Sequence, residues 1–145
     1  MSTETTSTLR LTRIIAASTE EVFEAWTNPE LMMKWSAPEG ADIASVTVDL
    51  KVGSEFKIHM SGENGNHVAY GIYQEIDRPN RLVYTWDWEN PDNHMGGTLI
   101  TVEFNAVGDS TEVIMTHDLL PTEEVMEAHN QGWISCFDRL EILFV

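Results

Sequence analysis

Apolar and polar residues change their period along this chain, and the changes mark out its elements. In "LRLTRII" (residues 9–15) they alternate, as in a strand with one buried face. "ASTEEVFEAW" then takes up a helical period. Ser18 stands three residues before Glu21, the spacing of a capping box in which two unpaired amides at a helix start are satisfied reciprocally. Val22, Ala25 and Trp26 form the apolar stripe of that helix. The Asn28-Pro29 step must end it, because proline disfavours helical backbone in the residue before it. The same step suits the start of a second helix, "PELMMKW", since Asn is a good N-cap and Pro fits the first helical position. Leu31, Met32 and Trp35 give that helix its buried side.

From 43 to 118 the pattern is that of strands. "IASVTVDL", "SEFKIHM", "HVAYGIYQEI", "RLVYTWDW", "TLITVEF" and "TEVIMTHDL" are rich in Val, Ile, Thr and aromatics. "SGENGN", "DRPN", "NPDNHMGG" and "AVGDS" separate them with turn-forming residues. Such short separators predict sequential antiparallel hairpins. The longest, 89–97, is expected to be a mobile rim loop. The remainder, "PTEEVMEAHNQGWISCFDRLEILFV", predicts one long helix beginning at Pro121 or Thr122. Its stripe runs through Val125, His129, Gly132, Trp133, Cys136, Leu140 and Leu143. The expected architecture is α+β: a curved antiparallel sheet of about seven strands around a long C-terminal helix, with two short helices after the first strand. A straight rod on a curled sheet touches it unevenly, so space is expected between them.

Composition narrows the functional classes. A chain of 145 residues suits one domain, expected over 9–145 behind a short flexible N-terminal lead-in, 1–8. The formal net charge of −16 argues against nucleic acid and anionic membrane surfaces as partners. No apolar run approaches the roughly 20 residues of a membrane span. Cys136 is the one cysteine, which excludes an internal disulfide and favours a reducing, cytoplasmic location.

Several stretches resemble one family. They are "R-x-I-x-A-S-x-E-x-V-F-x-A-W-T-x-P-E-x-x-x-x-W" from Arg13 to Trp35 and "D-L-x-V-G" from Asp49 to Gly53. "G-x-Y-x-E-I-x-x-P-x-R-L-x-Y-T-W" from Gly71 to Trp86 and "T-V-E-F" from Thr101 to Phe104 follow. "H-x-x-G-W-x-x-C-x-D-R-L" from His129 to Leu140 completes the set. Taken in order, they look like the domain homologous to the activator of heat-shock-protein-90 ATPase. That family is a branch of the START-like, or SRPBCC, helix-grip superfamily. The resemblance implies a sheet gripping a C-terminal helix around an apolar cavity. It implies a hydrophobic small molecule or a chaperone as partner, with cyclase- or hydrolase-like chemistry in related branches. It brings no shared catalytic motif.

The candidate site residues are mostly aromatic. Trp86 and Trp88 flank Asp87 and so share a sheet face. If that face is the covered one, they meet the helix near Trp133 and form a wall suited to an apolar or planar ligand. Filling the core is the open alternative for each of them, as it is for Trp26 and Trp35. Met115 and His117 share a face of their strand, and His117 or Arg13 is the candidate for orienting a polar group; a hydrogen-bonded core histidine and an edge-strand arginine paired to a surface acid are the open alternatives. His129 is a further candidate anchor on the helix stripe. Trp35, Met60, Tyr73 and Phe137 complete the expected lining; Tyr70 and Tyr73 compete for the inward position, since both alternations of their strand are apolar. The five histidines show no metal-binding spacing on a helix, and no metal or other cofactor is expected. No nucleophile elbow or phosphate loop appears, so no catalytic residue is assigned.

Overall fold

The computed structural model describes residues 6–37, 40–62, 65–92 and 94–144. Strand β1 (Ser7–Ile15) leads into helices α1 (Thr19–Thr27) and α2 (Pro29–Trp35). Six strands follow: β2 (Ala41–Val48), β3 (Glu55–Gly62), β4 (Gly65–Asp77), β5 (Arg81–Trp88), β6 (Thr98–Val107) and β7 (Ser110–Leu120). Helix α3 (Glu123–Leu143) closes the order. The start of β1 at Ser7 takes in the end of the expected lead-in, most of which lies outside the described residues.

The helix boundaries have local causes. The Ser18 hydroxyl accepts from the Glu21 amide at 3.2 Å, and the Glu21 carboxylate accepts from the Ser18 amide at 3.4 Å. Asn28 serves both short helices. Its amide donates to the Glu24 carbonyl to close α1, and its side-chain oxygen accepts from the Glu30 amide to open α2. Thr122 caps α3 by accepting from the Val125 amide at 3.1 Å.

All seven strands are antiparallel, in the order β1-β7-β6-β5-β4-β3-β2. Strands β2 to β7 form a meander, and β1 pairs with β7 at the far edge. The chain therefore crosses the width of the sheet between β1 and β2, and α1 and α2 make that crossing. Register shifts interrupt β1/β7 at Ser7/Leu9, β2/β3 at Ile43/Ser45 and β4/β5 at Tyr73/Glu75. Each such irregularity adds twist and bends its strand, and together they curve the sheet.

The concave face carries the core. Phe56, Ile58, Tyr73, Tyr84, Ile100, Phe104, Val113 and Met115 are buried there. Tyr73 faces inward and Tyr70 is only half-buried; Gly71 sits in the same alternation as Tyr73, against β5. A Cβ at Gly71 would lie 1.8 Å from the Thr85 carbonyl oxygen and 2.7 Å from the Phe56 ring, so β4 and β5 approach as closely as they do only with glycine there. Helix α3 packs on β1, β7 and α2. Its contact is strongest in the C-terminal half, where Cys136, Phe137 and Leu140 are buried. Val125, Met126 and His129 in the first half are only half-buried.

Gly71→Ala is expected to destabilise the fold by more than about 2 kcal/mol, since backbone rather than a flexible side chain must give way. Urea denaturation of the variant checks this; a midpoint equal to that of the parent would contradict the close approach.

Candidate functional site

The uneven contact of α3 leaves a cavity of about 630 Å³ beneath its first half. Trp86, Trp88 and Met60 form the sheet side, and Val125, His129 and Trp133 form the helix side. Exposed Asp92 and His94 mark its mouth in the loop between β5 and β6. That loop is tethered rather than free. The buried Asp87 carboxylate accepts from the amides of Trp88, Met95 and Gly97, each at 2.8 Å, and lies 3.2 Å from His94 Nδ1. Alternation dictates this: the position that turns Trp86 and Trp88 inward turns Asp87 toward the loop that follows its strand.

Four of the five tryptophans have their indole N–H anchored. Trp26 donates to the Tyr84 hydroxyl at 3.1 Å, and Trp35 to the Ala25 carbonyl at 2.8 Å. Trp88 donates to His129 Nε2 at 3.0 Å, and Trp133 to His117 Nδ1 at 3.1 Å. Trp86 differs: its N–H is buried and has no hydrogen-bond partner among the described residues. The Trp86 ring also borders a second void of about 20 Å³, lined by Trp35 and Tyr73 among others.

These bonds assign the histidine tautomers. His117 Nδ1 accepts an indole proton, so the neutral ring carries its own proton on Nε2. That proton goes to the Thr98 hydroxyl at 2.7 Å, and the hydroxyl donates to the Trp86 carbonyl at 2.6 Å. The relay ties Trp133 on α3 to Trp86 on β5 through a histidine with no solvent exposure. Burial first, then the neighbouring His129, pushes His117 down to about 3. His129 holds its proton on Nδ1 toward the Val125 carbonyl at 2.9 Å, leaving Nε2 to accept from Trp88. Burial lowers its pKa as well, against the hydrogen bond to Val125. Both rings are thus disposed as neutral acceptors. Burial pushes the Cys136 thiol up to about 12, so in this wall it presents a thiol and no thiolate nucleophile.

The structure distributes the expected site residues unequally. Met60, Trp86, Trp88 and Trp133 line the cavity. Trp35 and Tyr73 line the small void instead. Met115 and Phe137 are fully buried outside both linings, and His117 stands behind Trp133 as its acceptor. Arg13 shares the side of its strand that faces α3, yet it reaches the surface of the helix, pairing with Asp138 at 2.9 Å and Glu141 at 2.6 Å. The lining also includes residues that the patterning did not select: Ser61 and His67 at the β3–β4 hairpin, Met95 in the rim loop, and Gly132 and Cys136 on α3. The last two lie on the helix stripe and were legible as facing the sheet. The others come together only through the curl. Among the described residues, no group of three or more His, Cys, Asp or Glu could hold a metal ion, and no helix is long and apolar enough to cross a membrane.

A bowed seven-stranded antiparallel sheet closed over a C-terminal helix, with two short helices after the first strand, defines an α+β helix-grip protein. The family described as "Activator of Hsp90 ATPase homolog 1-like protein" matches residues 16–144, and the chain belongs to that family. Its fold is START-like, consistent with the SRPBCC superfamily. A solved Chromobacterium violaceum protein is similar with a TM-score of 0.87 at 24% identity, over 94% of this chain and 96% of that one. A Nitrosomonas europaea protein gives 0.79 at 25%, over 94% and 92%. The AHSA1 protein of Silicibacter pomeroyi gives 0.83 at 22%, over 94% and 96%. A search of curated proteins finds no match.

The His117 relay makes stability depend on pH. With a folded pKa near 3 against an ordinary value of 6.5, the ring stays neutral in the fold while the unfolded chain takes up a proton. Its contribution is fully present above pH 6.5 and falls by about 1.4 kcal/mol per pH unit as the pH drops from there toward 3. Urea titrations from pH 7 to 5 should show a shallower decline for His117→Gln than for the parent. Parallel declines would contradict the assignment.

Proposed function

We propose that this protein binds an apolar, aromatic small molecule in the cavity between its sheet and the first half of α3. The observation that carries this reading is a 630 Å³ space walled by Trp86, Trp88 and Trp133, within the size range of small-molecule sites. Its family and START-like fold support the same reading. Affinity would come mainly from apolar area withdrawn from water, worth about 25 cal/mol per Å² before the costs of association. Met60 and Met95 give the wall flexible apolar side chains that adapt to its outline. With Cys136 held as a thiol and His117 and His129 both engaged by indoles, binding is favoured over catalysis. Docking to a chaperone ATPase is a second reading, favoured by the family's description and by the net charge of −16. It requires association that weakens as salt rises.

Gly132 supplies the discriminating variant. It lines the cavity, and a Cβ added there meets no heavy atom within 4 Å. Gly132→Ala should stabilise the helix by about 0.5–1 kcal/mol. Gly132→Phe should fill the space, holding the melting temperature while weakening any aromatic ligand at least about tenfold, a loss of about 1.4 kcal/mol. Tryptophan fluorescence titration against an aromatic and lipid library, with thermal shift alongside, measures both. Unchanged binding by the phenylalanine variant would remove the cavity as the site.

A further inference from the structure

We propose that the cavity selects its guest by charge: it takes an aromatic cation, a protonated amine on a planar apolar body, and excludes the matching carboxylate. This rests on the small-molecule reading above and names the ligand class within it. All eight Lys and Arg side chains belong to the described residues, and none lines the cavity. Three of them have partners of their own. Arg13 is held by Asp138 and Glu141, Lys57 by Glu89 at 2.7 Å, and Arg139 by the Ala37 carbonyl at 2.9 Å. A carboxylate entering the space would lose its water with no cation to receive it.

The opposite charge finds complementary groups. Asp92 is the one Asp, Glu, Lys or Arg in the described lining, and it stands at the mouth. The histidines of the lining are His67, His94 and His129; His129 is engaged as an acceptor by Trp88, and His94 lies against the Asp87 carboxylate. Deeper in, the indoles of Trp86 and Trp88 meet edge to face with centroids 5.6 Å apart, and Trp133 packs on Trp86 at 5.0 Å. Indole faces attract cations as well as apolar rings. The net charge of −16 adds a long-range field that concentrates cations and repels anions. The aromatic body lies among the indoles with the ammonium toward Asp92.

A matched trio tests this: naphthylmethylamine, naphthylmethanol and naphthoate, titrated calorimetrically at neutral pH and low salt. The amine is expected to bind about threefold or more tighter than the alcohol, and the carboxylate at least about tenfold weaker than the amine. Asp92→Asn should bring the amine down toward the alcohol, lowering the amine by a larger factor than the alcohol, and added salt should shrink the amine's advantage in the same way. A carboxylate that binds as tightly as the alcohol, or an amine advantage that survives Asp92→Asn, overturns the inference while leaving the cavity as a site. Binding by none of the three overturns the cavity reading and this inference together.

Discussion

The structure depends on how α3 is gripped. A straight helix cannot follow a curved surface along its whole length, so close packing in one half leaves a gap in the other. The C-terminal half wins here because the large rings lie beneath it. Phe137 meets Trp26 at 5.6 Å and Trp35 at 6.2 Å, and Trp26 in turn meets Phe104 at 5.5 Å. Arg13 and Arg139 fasten the same half from either side, to the helix carboxylates and to the Ala37 carbonyl. The first half has no comparable filling. It rests on the Trp133–His117 and His129–Trp88 hydrogen bonds, which hold the helix near the sheet while leaving the space between them open.

The five tryptophans divide along this line. Trp26 and Trp35 flank the Asn28-Pro29 step, and the bend between α1 and α2 brings their rings to 4.5 Å. They fill the gripped end. Trp86, Trp88 and Trp133 belong to the open end, where two of their N–H groups are spent on histidines. An imidazole suits this task because the neutral ring accepts on one nitrogen and donates from the other, so a single side chain links an indole to a hydroxyl or a carbonyl. The acidic surface, by contrast, takes no part in the packing of the core.

Much of this was legible from residue order. Capping at Ser18, the double role of Asn28, the helical stripe of α3 and the shared face of Trp86 and Trp88 are short-range matters of spacing. The candidate site was legible only in part. Met60, Trp86, Trp88 and Trp133 line the cavity, whereas Met115 and Phe137 share its faces without reaching it, because alternation assigns a side and not a depth. Arg13 shows the same limit: its side of β1 was read correctly as facing the helix, but its position near the sheet edge lets the long side chain reach the helix surface. The rim loop was expected to be mobile on composition alone. Asp87, placed outward by the same alternation that turns two tryptophans inward, tethers it.

The order of residues by itself determined the elements, the helix caps, the antiparallel meander and the amphipathic helix, since all of these follow from neighbours within a few positions. Only the tertiary structure decided which Tyr of β4 turns inward, which histidine receives which indole, and where packing stops and the cavity begins. Those outcomes depend on the amount of curvature, which accumulates from register shifts across strands far apart in the chain and leaves no local mark in the sequence.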